Sequence, residues 1–320
     1  MLVLGLQGSP RRKGNSRYLL EHFLMASAAF GAETRMIEVD RCDILPCKEY
    51  TVCEKRGYCP IEDDLPREIY GLIRRADLVV AATPVFFYNM TAQLKALIDR
   101  CQTFWARKYR LRWHDPRRKI KKGYLLSVAA TRGNNLFDAI HLTMQYFCDA
   151  IDAEYAGHLT YRGIEGPKDM ARHATVLDDI QRAVAGLMGP LAERKRMLIL
   201  GDTGTRASQM AAALVRAKAS DRYDVRVAGL APAEGIDKRA VKVMADRGWD
   251  IAYETPLHVD RAVDGWRPDA VLALGLSSDL PKTGAGDVIR WDLPPGTTED
   301  GETLTRLYDM LDEKVAAMLH

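Results

Sequence analysis

The chain opens Met1-Leu2-Val3-Leu4-Gly5-Leu6-Gln7-Gly8-Ser9-Pro10-Arg11-Arg12-Lys13-Gly14-Asn15-Ser16-Arg17, and this stretch decides the fold. Leu2–Leu6 is a short apolar run that stops at Gln7-Gly8, which reads as a buried strand and not as a signal peptide, since no basic segment precedes it. From Ser16 to Ala29 the pattern turns helical, with Tyr18, Leu19, Phe23 and Leu24 on one side. Between the two lies a loop with small polar residues and glycines. A helix N-terminus offers free N–H groups and partial positive charge. Ser9, Asn15 and Ser16 add short donors, and Arg11, Arg12 and Lys13 add cations. This is a way to grip a phosphate without a metal. The loop is neither a Walker loop nor the G-x-G-x-x-G fingerprint. The plain alternative is an ordinary strand–helix turn with Asn15 or Ser16 as N-cap.

The alternation continues outward. Thr34–Val39, the apolar run Ala76–Ala82, Gly123–Ala129 and Glu154–Leu159 read as strands; Asp64–Arg75, Thr91–Phe104, Leu136–Ala150 and Asp169–Leu187 read as helices. Such alternation implies a parallel sheet covered on both faces. Met188-Gly189-Pro190 breaks the pattern, and it restarts with strands at Arg196–Leu200, Asp224–Ala228 and Ala270–Gly275 and helices at Arg206–Ala219, Lys238–Arg247 and Thr303–Leu319. The expected organisation is therefore a doubly wound α/β domain over residues 1–188, a linker over 189–195, and a second, smaller α/β domain over 196–320. With 47% apolar and 28% charged residues, the 320-residue chain is neither disordered nor fibrous. The longest charge-free stretch, Leu78–Leu94, holds Thr83, Pro84, Asn89 and Gln93 and is too broken to span a bilayer. Six cysteines are too few for a disulfide scaffold, so a cytoplasmic protein with reduced thiols is expected, with no membrane partner.

Three motifs in the first half occur in the order found in a known family. The GSPR-x-x-GNS loop resembles that of the NADPH-dependent FMN reductases, whose fold is flavodoxin-like. Thr83-Pro84-Val85-Phe86-Phe87-Tyr88-Asn89-Met90, followed by Gln93-Leu94-Lys95 and Ile98-Asp99-Arg100, resembles their second flavin loop and the helix after it. Cys47, Cys53 and Cys59-Pro60-Ile61-Glu62-Asp63-Asp64 resemble the cysteine segment of their iron–sulfur branch. The resemblance spans about residues 1–185 and implies FMN held by Ser9, Arg11, Lys13, Asn15 and Ser16, by Pro84, Val85, Phe86, Phe87, Tyr88, Asn89 and Met90, and by Thr131, Arg132 and Gly133. It implies NAD(P)H as co-substrate, a small electron acceptor (a quinone, a metal or metalloid species, or free flavin), flavin-centred chemistry without a catalytic side chain, and a homodimer or homotetramer. A flavodoxin-like electron carrier is the rival. The Pro84–Met90 loop also follows a buried strand, at the edge where open α/β sheets bind ligands. One of Phe86 and Phe87 is expected in the core.

The cysteines depart from the iron–sulfur pattern, roughly C-x2-C-x2-C-x5-C. Cys47, Cys53 and Cys59 match its first, third and fourth positions, but Tyr50 stands at the second. A cluster normally takes four thiolates, and zinc finds no histidine here, so no metal is expected. Arg107–Lys122 carries nine Lys or Arg residues and one acid, Asp115, with Tyr109 and Trp113 interleaved. A solvated or subunit-packed arm, an attractor of the NADPH 2′-phosphate and a nucleic-acid surface are all compatible with it. With a net charge of only +3, no nucleic-acid partner is expected.

In the second half, Met197–Ala213 (MLILGDTGTRASQMAAA) resembles the opening of arsenate reductases and low-molecular-weight tyrosine phosphatases, as do Gly235–Val241, Arg247–Ile251, Pro268–Leu274 and Trp291-Asp292-Leu293-Pro294 further on. Aligned on Ser208-Gln209-Met210, Gly201 stands at the nucleophilic cysteine, Ala207 at the arginine, and the general-acid aspartate falls near Pro294 or Pro295. All six cysteines lie at or before Cys148. The expectation is a phosphatase-type domain without its nucleophile, kept for packing, dimerisation or oxyanion sensing.

Overall fold

The computed structural model describes residues 1–293 and 301–319, which divide into two units. The first comprises Met1–Arg112 and Ile120–Ala192. Its sheet has five parallel strands, β1 (Leu2–Gln7), β2 (Glu33–Glu38), β3 (Leu78–Pro84), β4 (Lys122–Ala129) and β5 (Glu154–Arg162), in the order β2-β1-β3-β4-β5. That is the flavodoxin-like order, with its switch point between β1 and β3. The helices are α1 (Asn15–Ala29), α2 (Val52–Arg56), α3 (Tyr70–Arg75, entered through one π turn), α4 (Ala92–Arg100), α5 (Gln102–Tyr109), α6 (Asp138–Ala150) and α7 (Val176–Ala192). β1 and β3 are apolar nearly throughout because both of their faces are covered. On one face Val3, Leu78, Val80 and Leu126 pack with Leu20, Phe23 and Leu24 of α1 and Val184, Leu187 and Leu191 of α7. Each such side chain contributes roughly 1.5–3 kcal/mol by leaving water.

Two helices depart from the sequence expectation. The helix expected over Thr91–Phe104 is interrupted at Cys101. The last one runs through Gly189 and Pro190 to Ala192. Proline at 190 forgoes only the bond to the Gly186 carbonyl, while Leu187, Met188 and Leu191 keep the same face buried.

The second unit comprises Glu193–His320 together with Trp113–Lys119. Four parallel strands, β6 (Lys195–Gly201), β7 (Tyr223–Gly229), β8 (Ala270–Leu274) and β9 (Asp287–Trp291), lie in the order β7-β6-β8-β9. They carry α8 (Ala207–Ala219), α9 (Lys238–Asp246), α10 (Val259–Val263) and α11 (Gly301–Leu319). β9 was not expected from its sequence. Trp113–Lys119 is fastened here as an extra strap: His114 N–H donates to Gly248 O at 2.8 Å and Asp250 N–H to His114 O at 2.9 Å. Arg117 grips Glu254 at 2.6 and 3.3 Å, and Arg216 reaches the same carboxylate at 3.2 Å. The basic stretch is thus solvated only in part, with Arg110, Arg112, Arg118 and Lys119 exposed. Arg107, Arg117 and Lys121 are buried, and Lys121 Nζ donates to Arg74 O at 2.9 Å. Pro294 and Pro295 lie outside the described residues. No described helix is long and apolar enough to cross a membrane.

Candidate functional site

The loops leaving β1, β3 and β4 converge at one end of the first sheet. Gly8 continues β1 against β3, its N–H donating to Ala82 O at 2.8 Å. A Cβ at Gly8 would stand 2.9 Å from Leu94 Cβ, so only glycine lets α4 come this close. Thr91, the N-cap of α4, donates its hydroxyl to Gly8 O at 2.6 Å and ties the first loop to the end of the second.

The first loop turns back on itself. Arg11 N–H donates to Ser9 Oγ at 3.2 Å and Gly14 N–H to Arg11 O at 3.2 Å. The N-cap of α1 is Gly14, not Asn15 or Ser16, and it has no side-chain capping bond. The N–H groups of the first turn are therefore left for something else. Ser16 follows in that turn. Its side chain is buried and its Oγ has no hydrogen-bond partner among the described residues. Asn15, read from sequence as a side-chain donor, has both amide atoms engaged: Nδ2 donates to Gly166 O at 3.0 Å and Oδ1 accepts from Met170 N–H at 3.2 Å. It buckles α1 to the loop after β5, which leaves one Nδ2 hydrogen and the backbone N–H for an anion. The loop after β5 is itself shaped by Asp169, which accepts from Gly166 and Glu165 N–H. Arg172's hydrogen bond, then those backbone donors, hold Asp169 below the usual carboxylate range. Arg11 and Lys13 sit exposed on the loop's outside.

The second loop is a two-residue hairpin turn. Phe86 and Asn89 exchange both backbone bonds, at 2.7 and 2.9 Å, and Phe87 and Tyr88 between them take φ of 48° and 62°. Positive φ at both central residues is the type I′ geometry usually given to Asn-Gly. For a phenylalanine and a tyrosine it costs about 1–2 kcal/mol each. The turn throws its aromatics outward: Phe86, Phe87 and Tyr88 are all exposed, Phe87 completely, so neither phenylalanine is core. Strained backbone and bare aromatic rings thus stand together at the carboxyl edge of the sheet, the edge at which open α/β sheets bind ligands. Val85 packs on Ala129, Leu136 and Phe137, and Met90 is buried. Pro84 ends β3.

The third loop meets the second at Gly133, where a Cβ would lie 3.1 Å from the Tyr88 hydroxyl. Arg132 lays its guanidinium against Gly163, and Thr131 O accepts from Gly163 N–H at 3.2 Å. The structure thus gathers the three sequence-marked loops.

The cysteine segment forms a separate feature. Cys47, Cys53 and Cys59 line one cavity of about 380 Å³ with Tyr50, Thr51 and Gln102. The segment is tied down around it: the buried Arg100 donates to Leu45 O, Ile61 O and Asp63, and Arg107 Nε donates to Gly57 O at 2.6 Å. Burial, and then the neighbouring Cys59, push the Cys53 thiol up, the opposite of an activated nucleophile. Cys42 lies elsewhere, its Sγ on Glu38 O. Among the described residues no three His, Cys, Asp or Glu side chains are arranged to hold a metal ion. Three thiols with Tyr50 at the second position of the pattern do not fit a four-thiolate cluster.

In the second unit the Gly201–Arg206 loop precedes α8, but its polar side chains already have partners in the loop and beyond it. Asp202 Oδ1 accepts from Ser277 N–H at 3.2 Å, Thr203 and Thr205 hydroxyls meet at 2.9 Å, and Arg206 Nε lies 3.0 Å from Asp237.

Residues 1–153 match the family model described as NADPH-dependent FMN reductase. An iron-sulfur flavoprotein of Methanocaldococcus jannaschii is 40% identical over 100 residues, covering 31% of this chain and 51% of that protein. The chain spans about half the length of the curated relatives it matches. Among solved structures, an NAD(P)H:quinone oxidoreductase from Methanothermobacter marburgensis is 22% identical with a TM-score of 0.43, covering 58% of this chain and 96% of that one. An arsenate reductase from Archaeoglobus fulgidus is 29% identical with a TM-score of 0.32, over 38% of this chain and 97% of that one.

Proposed function

We propose that the first unit binds FMN across its three gathered loops and works as an NAD(P)H-dependent oxidoreductase that passes electrons to a small acceptor. The observation that carries this reading is the start of α1. A fifteen-residue helix begins at the β1/β3 switch point without a side-chain cap, and the buried Ser16 hydroxyl in its first turn lacks a partner. A terminal phosphoryl group answers both needs. The match of residues 1–153 to the FMN reductase model supports the same ligand. Bound there, the flavin supplies the two-electron chemistry.

The chain's part is to hold and shield. Ser9, Ser16 and the backbone N–H groups of Asn15 and Ser16 bind the phosphoryl end, with Arg11 and Lys13 adding charge at its rim. Phe86, Phe87 and Tyr88 give the ring flat apolar walls, and the second and third loops, in contact through Tyr88 and Gly133, exclude water from it. No side-chain acid or base is assigned to the electron-transfer step. The second unit is read as a phosphatase-type domain without its nucleophile, since Gly201 stands where the thiol is needed.

An absorption spectrum of the purified protein, followed by rapid mixing with NADPH, tests this. Flavin bands that bleach on mixing are expected, without broad visible iron–sulfur absorbance. Flavin that NADPH leaves oxidised would make the protein an electron carrier, and a colourless protein that takes up no added FMN overturns the assignment.

A further inference from the structure

Gln7, the last residue of β1, has a side chain that nothing so far uses. It is 1% exposed, and neither its amide nitrogen nor its amide oxygen has a hydrogen-bond partner among the described residues. A buried amide in this state destabilises the chain that carries it, and an apolar residue of the same shape would avoid the penalty. Its position explains what it faces. A Cβ at Gly5, two residues earlier on β1, would lie 3.0 Å from Leu20 and Leu24 of α1, so that face of the strand looks at this row of the helix. Two residues along a strand advance about 6.6 Å. Four residues back along the antiparallel helix advance about 6 Å. The same row therefore brings Gln7 opposite Ser16, whose hydroxyl is also buried and also unpartnered. The row thus puts two polar groups at the uncapped start of α1, neither with a hydrogen-bond partner among the described residues.

We propose that Gln7 is a further phosphoryl-binding residue: its amide nitrogen donates, with Ser16 Oγ, to an oxygen of the ligand's phosphate. This rests on the flavin-phosphate reading above and deepens it, because it places a donor on β1 beneath the loop as well as in the loop. The amide can turn its nitrogen toward the anion at no covalent cost, and its oxygen is then left to accept from a water. A glutamate there would put a carboxylate against the phosphate.

The test is to measure the affinities of Gln7→Leu for riboflavin phosphate and for riboflavin, with the melting temperature of the flavin-free protein as the second readout. Leucine should weaken riboflavin phosphate by about ten- to a hundredfold, the loss expected for one hydrogen bond to a charged group. Riboflavin binding should stay the same, and the flavin-free protein should melt no lower than wild type. A purely structural role would not move the ratio of the two affinities. Gln7→Glu is the companion should the leucine variant fold poorly, and it should lower that ratio further. Equal riboflavin-phosphate affinity in wild type and both variants overturns the Gln7 assignment and leaves the flavin reading standing. A wild-type chain that binds no riboflavin phosphate overturns both.

Discussion

Replacing Arg100 by leucine should release the cysteine segment, and the size of the effect follows from what the guanidinium touches. The Arg100 and Asp63 side chains are both fully buried, and they meet at 2.6 and 3.2 Å. Arg100 also donates to Leu45 O at 2.7 Å and Ile61 O at 3.3 Å, which staples together the two ends of the segment that carries Cys47, Cys53 and Cys59. Asp63 in turn accepts from Leu45 and Leu65 N–H at 3.1 Å each. Removing the cation leaves a carboxylate in the interior with only those two donors. Breaking a buried pair from one side costs about 3–5 kcal/mol. At about 2–4 °C per kcal/mol for a unit of this size, the melting transition of the first unit should fall by about 6–20 °C. Cys53 and Cys59, half-buried in the intact protein, should react faster with a thiol reagent. A double-mutant cycle separates the charge from the packing. In the wild-type background Asp63→Asn should destabilise, because it weakens the pair. In the Arg100→Leu background the same change should stabilise, because it removes an uncompensated charge while the amide oxygen still accepts from the backbone. An equal effect of Asp63→Asn in both backgrounds would refute the reasoning.

Two further outcomes follow from the same geometry. Gly8→Ala forces a Cβ to within 2.9 Å of Leu94 Cβ and should destabilise by about 1–3 kcal/mol in thermal or denaturant unfolding, with flavin retention on a desalting column reduced. The His141 and His158 rings lie 4.2 Å apart, tilted, beside the Tyr155 hydroxyl, and burial lowers both imidazoles below their ordinary 6.5; the neighbouring His158 lowers His141 further. The unfolded chain then binds protons before the folded one does. The contribution is complete above about pH 6.5 and is lost as the pH falls toward the depressed folded values. The melting temperature should drop on acidification from pH 7.5 to 5.5 by less in the His141→Gln/His158→Gln double variant than in wild type; equal slopes would rule the pair out as the source.

The strand–loop–helix opening could be read from the sequence because each signal is local. An apolar run ends in glycine and a 3.6-residue pattern begins within ten residues, so no distant contact is needed to see it. Alternation and crossover handedness give a parallel sheet covered on both faces, whereas the order β2-β1-β3-β4-β5 was expected only through the family resemblance. What was hidden depends on partners elsewhere in the chain. One of Phe86 and Phe87 reads as core by composition; the paired bonds of Phe86 with Asn89 turn both outward, and the usual Asn-Gly signal for such a turn is absent. Asn15 looked like a phosphate donor, but its amide is engaged by Gly166 and Met170, some 150 residues away in sequence. Trp113–Lys119 looked like a charged loop, and its place is set by Gly248, Asp250 and Glu254. β9 (Asp287–Trp291) is a short edge strand whose alternation is too brief to stand out.

The second unit, proposed above as a phosphatase-type domain without its nucleophile, can be tested at its first loop. If a missing thiol were all that separated it from a phosphatase, Gly201→Cys should restore turnover. The loop says otherwise. A thiol nucleophile needs a lowered pKa, a free row of N–H groups and a cation aimed at the bound anion. The carboxylate of Asp202, next in sequence, would raise the pKa of a thiol at 201. Gly204, at φ 66°, and Gly229 press backbone on backbone so closely that a Cβ at 229 would meet Thr203 C at 2.6 Å, which fixes the loop's shape. Arg206 is held by Asp237, which Arg239's hydrogen bond and then its own backbone donor keep ionised well into acid. A guanidinium committed to Asp237 would have to give up that ion pair to turn toward an oxyanion. The full-length Gly201→Cys protein should therefore hydrolyse p-nitrophenyl phosphate no faster than wild type. Hydrolysis more than tenfold above wild type, and abolished by alkylating the new thiol, would mean that the loop opens and that the nucleophile was the single missing part.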